Sequence, residues 1–536
     1  MSRATLFAAW LDATFAEPAR QMRWSFLPPL MVYFAAGVSG LTGIVGAFFV
    51  KEHLDLSAAF VAGLGFWAGL PWVLKMPLGH LVDLYWRWKG WMVVLGAGMI
   101  ALSLAIMLGL VTERDAMAAW ASPAAWFVAA TILAPAGYVV QDVVADAMTV
   151  EAVPSVDLSG EPIAEDRLKA LHTTMQTLGR FAIISGSVAV GAANVLIFRD
   201  TAGLPAEVRL ESYATVYRLA FLIPLISVTG VALAEITRRR RIARMRREGA
   251  GEREIAKVET PEEPPEADWR IFAGGGAFVL VSVGLGLSDA PWAAEAVFFG
   301  TMAVVLYLIR RLAEALPRDK ARMLFGTAAI VFAFRAVPLP GPGLTWFEID
   351  VLGFDEQFLA VLSVITSALA LVGLVMLRPL MARWSIAAIV ALLSVVAGVM
   401  ALPNIGLYYG IQEFTAAWTG GVVDARFIAI LDTAVESPLG QVAMIPMLAW
   451  IARNAPRELK ATFFAVMASF TNLALSASQL ATKHVNRLWE VTRETQDTGA
   501  DYSELGEILI FVAVVSMAAP LLTIAAVQLS RYRTTD

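Results

Sequence analysis

Four carboxylates recur at helical spacing inside long apolar runs. Asp142 and Asp146 are four residues apart in the run 123–153, and Asp432 and Glu436 repeat that spacing in the run 422–451. Residues four apart share one helix face. Two carboxylates that close resist ionising together, so one of each pair can hold a proton at neutral pH. That is the chemistry proton coupling needs. Cations and amides occupy similar settings: Lys75 in the run 57–84, His172, Gln176 and Arg180 at four-residue steps in 168–198, Arg335 near the middle of 323–348, and Asn472 and Gln479 in 461–483. Ionisable groups are costly in hydrocarbon and usually face an aqueous cavity or one another. Counted from the same membrane face, Asp142 lies roughly 16 Å deep and Arg180 roughly 18 Å deep, so these two could pair near mid-membrane. The plainer alternative is a buried ion-pair network that only pins helices together.

The elements that must position these groups are membrane-spanning helices. Of the 536 residues, 58% are hydrophobic and 16% charged, with a mean hydropathy of +0.66. One soluble core cannot hide that much apolar surface, and many of the runs reach the roughly 20 residues that cross a bilayer as helix. They lack the alternation of a lipid-facing barrel strand. The expected fold class is therefore all-α integral membrane, with the lipid bilayer as its surroundings. There is no cysteine, which removes disulfides, thiolate metal sites and iron–sulfur clusters. His53, His80, His172 and His484 are scattered without metal-ligand spacing. The net charge of −5 gives no reason to expect nucleic acid. No phosphate loop, nucleophile–base set or cofactor motif is present, so no metal, cofactor or enzymatic activity is expected.

About fourteen spans can be read along the chain. Segment 1–26 places Leu6, Phe7, Trp10, Leu11 and Phe15 among charged residues, as in a helix lying on a membrane surface; a loosely ordered tail is the alternative. No cleavable signal peptide is expected. Six spans fill 27–236, a charged linker covers 237–270, two extra spans and a basic loop occupy 271–322, and six more spans with a short tail fill 323–536. With both termini cytoplasmic, most of the 41 Lys and Arg fall on the cytoplasmic side. The entry to the second span, Leu54 to Ala62, corresponds to Leu352 to Ala360 in the other block, and each fourth helix carries an acidic pair. Two six-helix bundles joined by a long cytoplasmic linker is the plan of the major facilitator superfamily. The loop with Gly79, Asp83, Arg87 and Lys89 resembles that superfamily's gating loop, in which the Asp caps a helix or pairs with an Arg; a short basic loop is the alternative.

Three stretches together resemble the folate–biopterin transporter family. They are Leu70-Pro71-Trp72-Val73-Leu74-Lys75 with Gly79 and Asp83, Gln141-Asp142-Val143-Val144-Ala145-Asp146 running on to Glu151, and Gln441-Val442-Ala443-Met444-Ile445-Pro446 with Ala461 to Ala465 and Asn472. The resemblance implies proton-coupled uptake of folates or pterins. On it, Lys75, Arg180 and Arg335, with Gln176 and Asn472, are candidates to meet an anionic solute. Asp142, Asp146, Asp432, Glu436 and His172 are candidates for proton coupling or buried ion pairs. The extra helical pair departs from the family's twelve-helix plan. The muropeptide permeases share the outline of the fourth-helix motif and give the runner-up reading. A non-transporting scaffold or receptor that binds a ligand or pigment is the alternative from another class. The protein is expected to be a monomer in the cell membrane, working by alternating access.

Overall fold

The computed structural model describes residues 22–534 apart from 55, 154–162, 202, 250, 252–254, 256–268, 287, 289, 315, 377–383, 440–459 and 494–498. The segment 1–21, the acidic stretch 259–268 and the motif at 441–446 lie outside the described residues, as do the side chains of 461–465, Asp83, His172 and Gln176.

The first half consists of α1 (Leu27–Val38), α2 (Gly43–His53), α3 (Ala58–Gly69), α4 (Lys75–Leu84), α5 (Lys89–Thr112), the short α6 (Arg114–Ala118), α7 (Pro123–Ala152), α8 (Glu165–Ile197), α9 (Ala206–Ala220) and α10 (Leu222–Arg247). Two further helices follow, α11 (Trp269–Gly286) and α12 (Ala293–Glu314). The second half consists of α13 (Arg318–Arg335), α14 (Pro342–Asp350), α15 (Glu356–Met376), α16 (Ile386–Tyr408), α17 (Ile411–Thr419), α18 (Ala425–Glu436), α19 (Lys460–Leu488) and α20 (Leu505–Gln528). Among the described residues, nine helical stretches are long and apolar enough to cross a membrane. The chain is an all-helical, multi-pass membrane protein, as the composition predicts.

Several expected spans are broken. The run 323–348 is not one helix: α13 stops at Arg335 and α14 starts at Pro342. Pro338, Pro340 and Pro342 cause this, because proline lacks an N–H and drives the preceding residue out of helical geometry. Gly341 completes the break with φ +84°, a conformation that suits glycine. Backbone groups freed inside a membrane must find protein partners. Three residues at four-residue steps on α19 supply them. Ser478 Oγ donates to the Val337 carbonyl at 2.6 Å, Thr482 Oγ1 accepts from the Leu339 N–H at 2.9 Å, and Asn486 Nδ2 donates to the Pro340 carbonyl at 3.0 Å.

The first half repeats this plan. A 3-10 turn, Ser39–Thr42, interrupts α1 and α2, and α8 serves the break through Ser187 Oγ to the Gly37 carbonyl at 3.4 Å and Asn194 Nδ2 to the Leu41 carbonyl at 3.3 Å. A second 3-10 turn at Leu70–Leu74, begun by Pro71, separates α3 from α4. Asn472 Nδ2 donates there to the Trp72 carbonyl at 3.3 Å, and Ser469 Oγ to the Val73 carbonyl at 3.4 Å. These last bonds cross from one half to the other.

Two seams join the halves: α3 and α4 against α19, and α8 against α15. At the second, a Cβ on Gly191 would come within 2.6 Å of Val364 Cγ2, so only a glycine permits the approach. The extra helices lie along the first seam. Phe272 of α11 contacts the His80 ring at 5.2 Å, while Glu295 of α12 binds Lys483 Nζ at 3.0 Å and His484 Nε2 at 2.9 Å on α19. One buried cluster joins Phe66, Val297, Ile330, Phe470 and Leu473. Lipid tails are as apolar as these side chains, so close packing and interhelical hydrogen bonds hold the seam. Helix α10 runs past the expected boundary at 236, to Arg247. Arginine is a good helix former, and the four-apart pairs Glu235–Arg239 at 2.6 Å and Arg244–Glu248 at 2.8 Å support the extension.

Candidate functional site

Lys75 is the first residue of α4, just beyond the turn that Pro71 imposes. The break aims its side chain at α7. There Lys75 Nζ forms an ion pair with Asp142 and lies 3.8 Å from Asp146 Oδ2. It also stands 5.3 Å from the centre of the Trp72 ring, within cation–π range. From α1, the Tyr33 hydroxyl donates to Asp146 Oδ1 at 2.6 Å. Three helices thus converge on one acidic pair. Asp146 remains 55% exposed with these partners in place. Gln141, on another face of α7, ties that helix down: its amide donates to the Val93 carbonyl at 3.2 Å and accepts from Ser227 Oγ at 3.0 Å.

Arg180 of α8 is exposed. It is close enough to Asp146, Lys75 and Tyr33 to interact electrostatically, yet forms no ion pair among the described residues. The pairing of Asp142 with Arg180 that their depths allow is therefore not formed; Lys75 takes the carboxylate instead. Depth along two helices does not say which face each presents. The break before α4 brings Lys75 across first.

The second half differs in detail. Arg335 ends α13 at the helix break, and its Nε is buried with no hydrogen-bond partner among the described residues. Asp432 Oδ2 accepts from Asn404 Nδ2 at 3.4 Å, while Oδ1 is buried and unbonded among the described residues. Glu436, one turn further on, and Glu348 of α14 both interact electrostatically with Asp432. Asn472 is engaged by the Trp72 carbonyl. Lys89, the first residue of α5, binds Glu151 through Nζ at 2.8 Å and donates to the Trp86 carbonyl at 3.2 Å. Arg87 is exposed, and Gly79 has open space around its Cα.

Tyr33 and Glu348 are the neighbours that sequence reasoning missed. A lone tyrosine in an apolar run carries no polar signal, and Glu348 stands at the expected end of the span 323–348. A second ionic cluster was also missed. It gathers Glu52, Arg209, Tyr213 and Glu356, residues that read singly as loop or helix-end charges.

A family model described as the BT1 family matches residues 36–532. The chain belongs to the BT1 family. A curated relative of this BT1-family chain, the folate-biopterin transporter of Synechocystis sp., is 23% identical over 459 residues, spanning 84% of this chain and 72% of the relative. The folate–biopterin resemblance read from the motifs is borne out, and the family is one of transporters. Among solved structures, a POT family transporter in complex with a thioalcohol-conjugated peptide superposes with a TM-score of 0.60 at 12% identity, over 94% of each chain. The nucleoside transporter NupG does so at 0.51 and 12% identity, over 95% of this chain and 100% of that one. At such identity these likenesses speak for the fold alone, and the BT1-family chain has the major facilitator fold.

Proposed function

We propose that this chain is a proton-coupled secondary transporter that takes up an anionic solute, a folate or a pterin, by alternating access. The observation that carries the reading is Arg180, exposed and without an ion pair among the described residues, beside a carboxylate pair already shared with Lys75. Asp142 and Asp146 contribute −2 to this group; Lys75 and Arg180 contribute +2. The sum is zero. One proton on the acidic pair makes it +1, and the site then attracts an anion in a medium of low dielectric. Proton and anion therefore bind best together, which is the requirement for symport. In the other half, Arg335 offers a second guanidinium at a helix break, the type of place where transporters of this plan bind solute.

In this reading the two halves rock about their seams, and the pair Asp432 and Glu436 with Glu348 holds a further proton. The face bearing Arg238 to Arg247 is cytoplasmic by its positive charge. The protein acts as a monomer in the cell membrane. The test is uptake of radiolabelled folate into proteoliposomes with and without an inward proton gradient. Uptake stimulated by the gradient is expected. Its absence with intact, oriented protein would remove folate as the solute.

A further inference from the structure

One face of the bundle carries the connections from α2 to α3, α8 to α9, α14 to α15 and α19 to α20. On this face, away from the Lys75 site, the halves are locked by charge. Arg209 of α9 donates to Glu52 of α2 in its own half and, at 2.6 Å, to Glu356 Oε1 of α15 in the other half. The Tyr213 hydroxyl donates to the same Glu356 oxygen at 2.6 Å. Nearby, Lys51 pairs with Asp350 of α14, and Arg493 donates to the carbonyls of Val50 and Lys51. Glu356 is only 1% exposed, and its Oε2 has no hydrogen-bond partner among the described residues.

Glu52 and Glu356 share the Arg209 guanidinium through separate nitrogens, so these three groups by themselves carry one more negative than positive charge, where incomplete pairing is costly. The two are not equivalent. Glu356 lies in the first turn of α15, where the helix dipole and free N–H groups favour an anion. Glu52 lies in the last turn of α2, where the exposed carbonyls oppose one. Among the described residues, Lys51, His53 at 3.9 Å, Arg209, Tyr213 and Glu356 face Glu52, and Arg493, Arg114 and Glu207 lie beside it around the Lys51 carbonyl and His53.

We propose that Glu52 is a proton-binding site that controls this gate. Ionised Glu52 competes with Glu356 for Arg209 and weakens the link between the halves. Protonated Glu52 releases Arg209 to Glu356 and shuts the gate. The proton adds to one Glu52 oxygen and leaves by the same route when the gate opens; no other bond changes. This inference rests on the alternating-access reading but not on the identity of any solute.

The chain has no cysteine, so spin labels can be placed at Leu204→Cys and Val351→Cys, exposed positions in loops of opposite halves on this face. Pulsed electron resonance then reports the opening of the gate in reconstituted protein without solute. In the otherwise unaltered protein, raising the pH should populate a longer distance. Glu52→Gln should hold the short distance at every pH. Arg209→Gln and Glu356→Gln should move the closed-to-open ratio toward open by about a hundredfold, while size-exclusion behaviour stays unchanged. His53→Gln should keep the pH response. The proposal is overturned if Glu52→Gln and Glu356→Gln shift the distance in the same direction, if neither shifts it, or if His53→Gln alone removes the pH response. Loss of folate uptake with the opposed responses intact would instead count against the solute reading.

Discussion

Lys75 on α4 is ion-paired to Asp142 on α7 across the gap left by the helix break at Leu70–Leu74. Both side chains are about four-fifths covered. Removing one partner leaves the other charge without compensation, whereas removing both does not. Lys75→Met should therefore lower stability by about 3–5 kcal/mol, and Lys75→Met with Asp142→Asn should recover most of that loss. Thermal unfolding of the two variants in one detergent decides the matter; equal losses would argue against the pair.

Asp142→Asn should also change the response to pH. In the unaltered site a proton is needed to reach +1, so uptake rises as the entry side is acidified. The asparagine variant stands at +1 without a proton. Its uptake should be flat across the same range, and an unchanged pH profile would make Asp142 a structural residue only.

Arg180→Ala should leave the fold intact, because the guanidinium is exposed and carries no ion pair among the described residues. It should reduce anion uptake by about 10- to 100-fold, the range for a lost charge-assisted hydrogen bond. Flux at the unaltered level in well-inserted protein would sink the role assigned to Arg180.

Ser478→Ala removes the donor to the Val337 carbonyl at the break after α13. An unsatisfied buried carbonyl costs about 1–3 kcal/mol. A measured loss in that range, against a near-silent change at the exposed Ser503, would show that α19 supports the break.

Gly191→Leu should prop open the seam between α8 and α15, since even a Cβ would collide with Val364. The spin-label distance on the face bearing Glu356 should lengthen. An unchanged distance would mean that this seam does not control closure.

The acidic pairs were legible in the sequence because helical periodicity is a local property: residues four apart share a face whatever surrounds them. The family was legible for a similar reason, in contiguous motifs such as Leu70 to Lys75. The break after Arg335 could have been read from its three prolines, yet the surrounding apolar residues make one span look continuous. Choosing between Lys75 and Arg180 as partner of Asp142 needed the rotation of α4, which the turn at Leu70–Leu74 sets.

The gate was the least legible part. Glu52, Arg209 and Glu356 lie far apart in sequence, and each alone looks like an ordinary charge at a helix end. Composition and periodicity by themselves determined that the chain crosses the membrane as helices, because hydrocarbon imposes that on any sequence this apolar. They also placed carboxylates at membrane depth. Only the tertiary structure decided which cation meets which carboxylate, because an ion pair depends on the rotation and approach of helices that distant parts of the chain bring together.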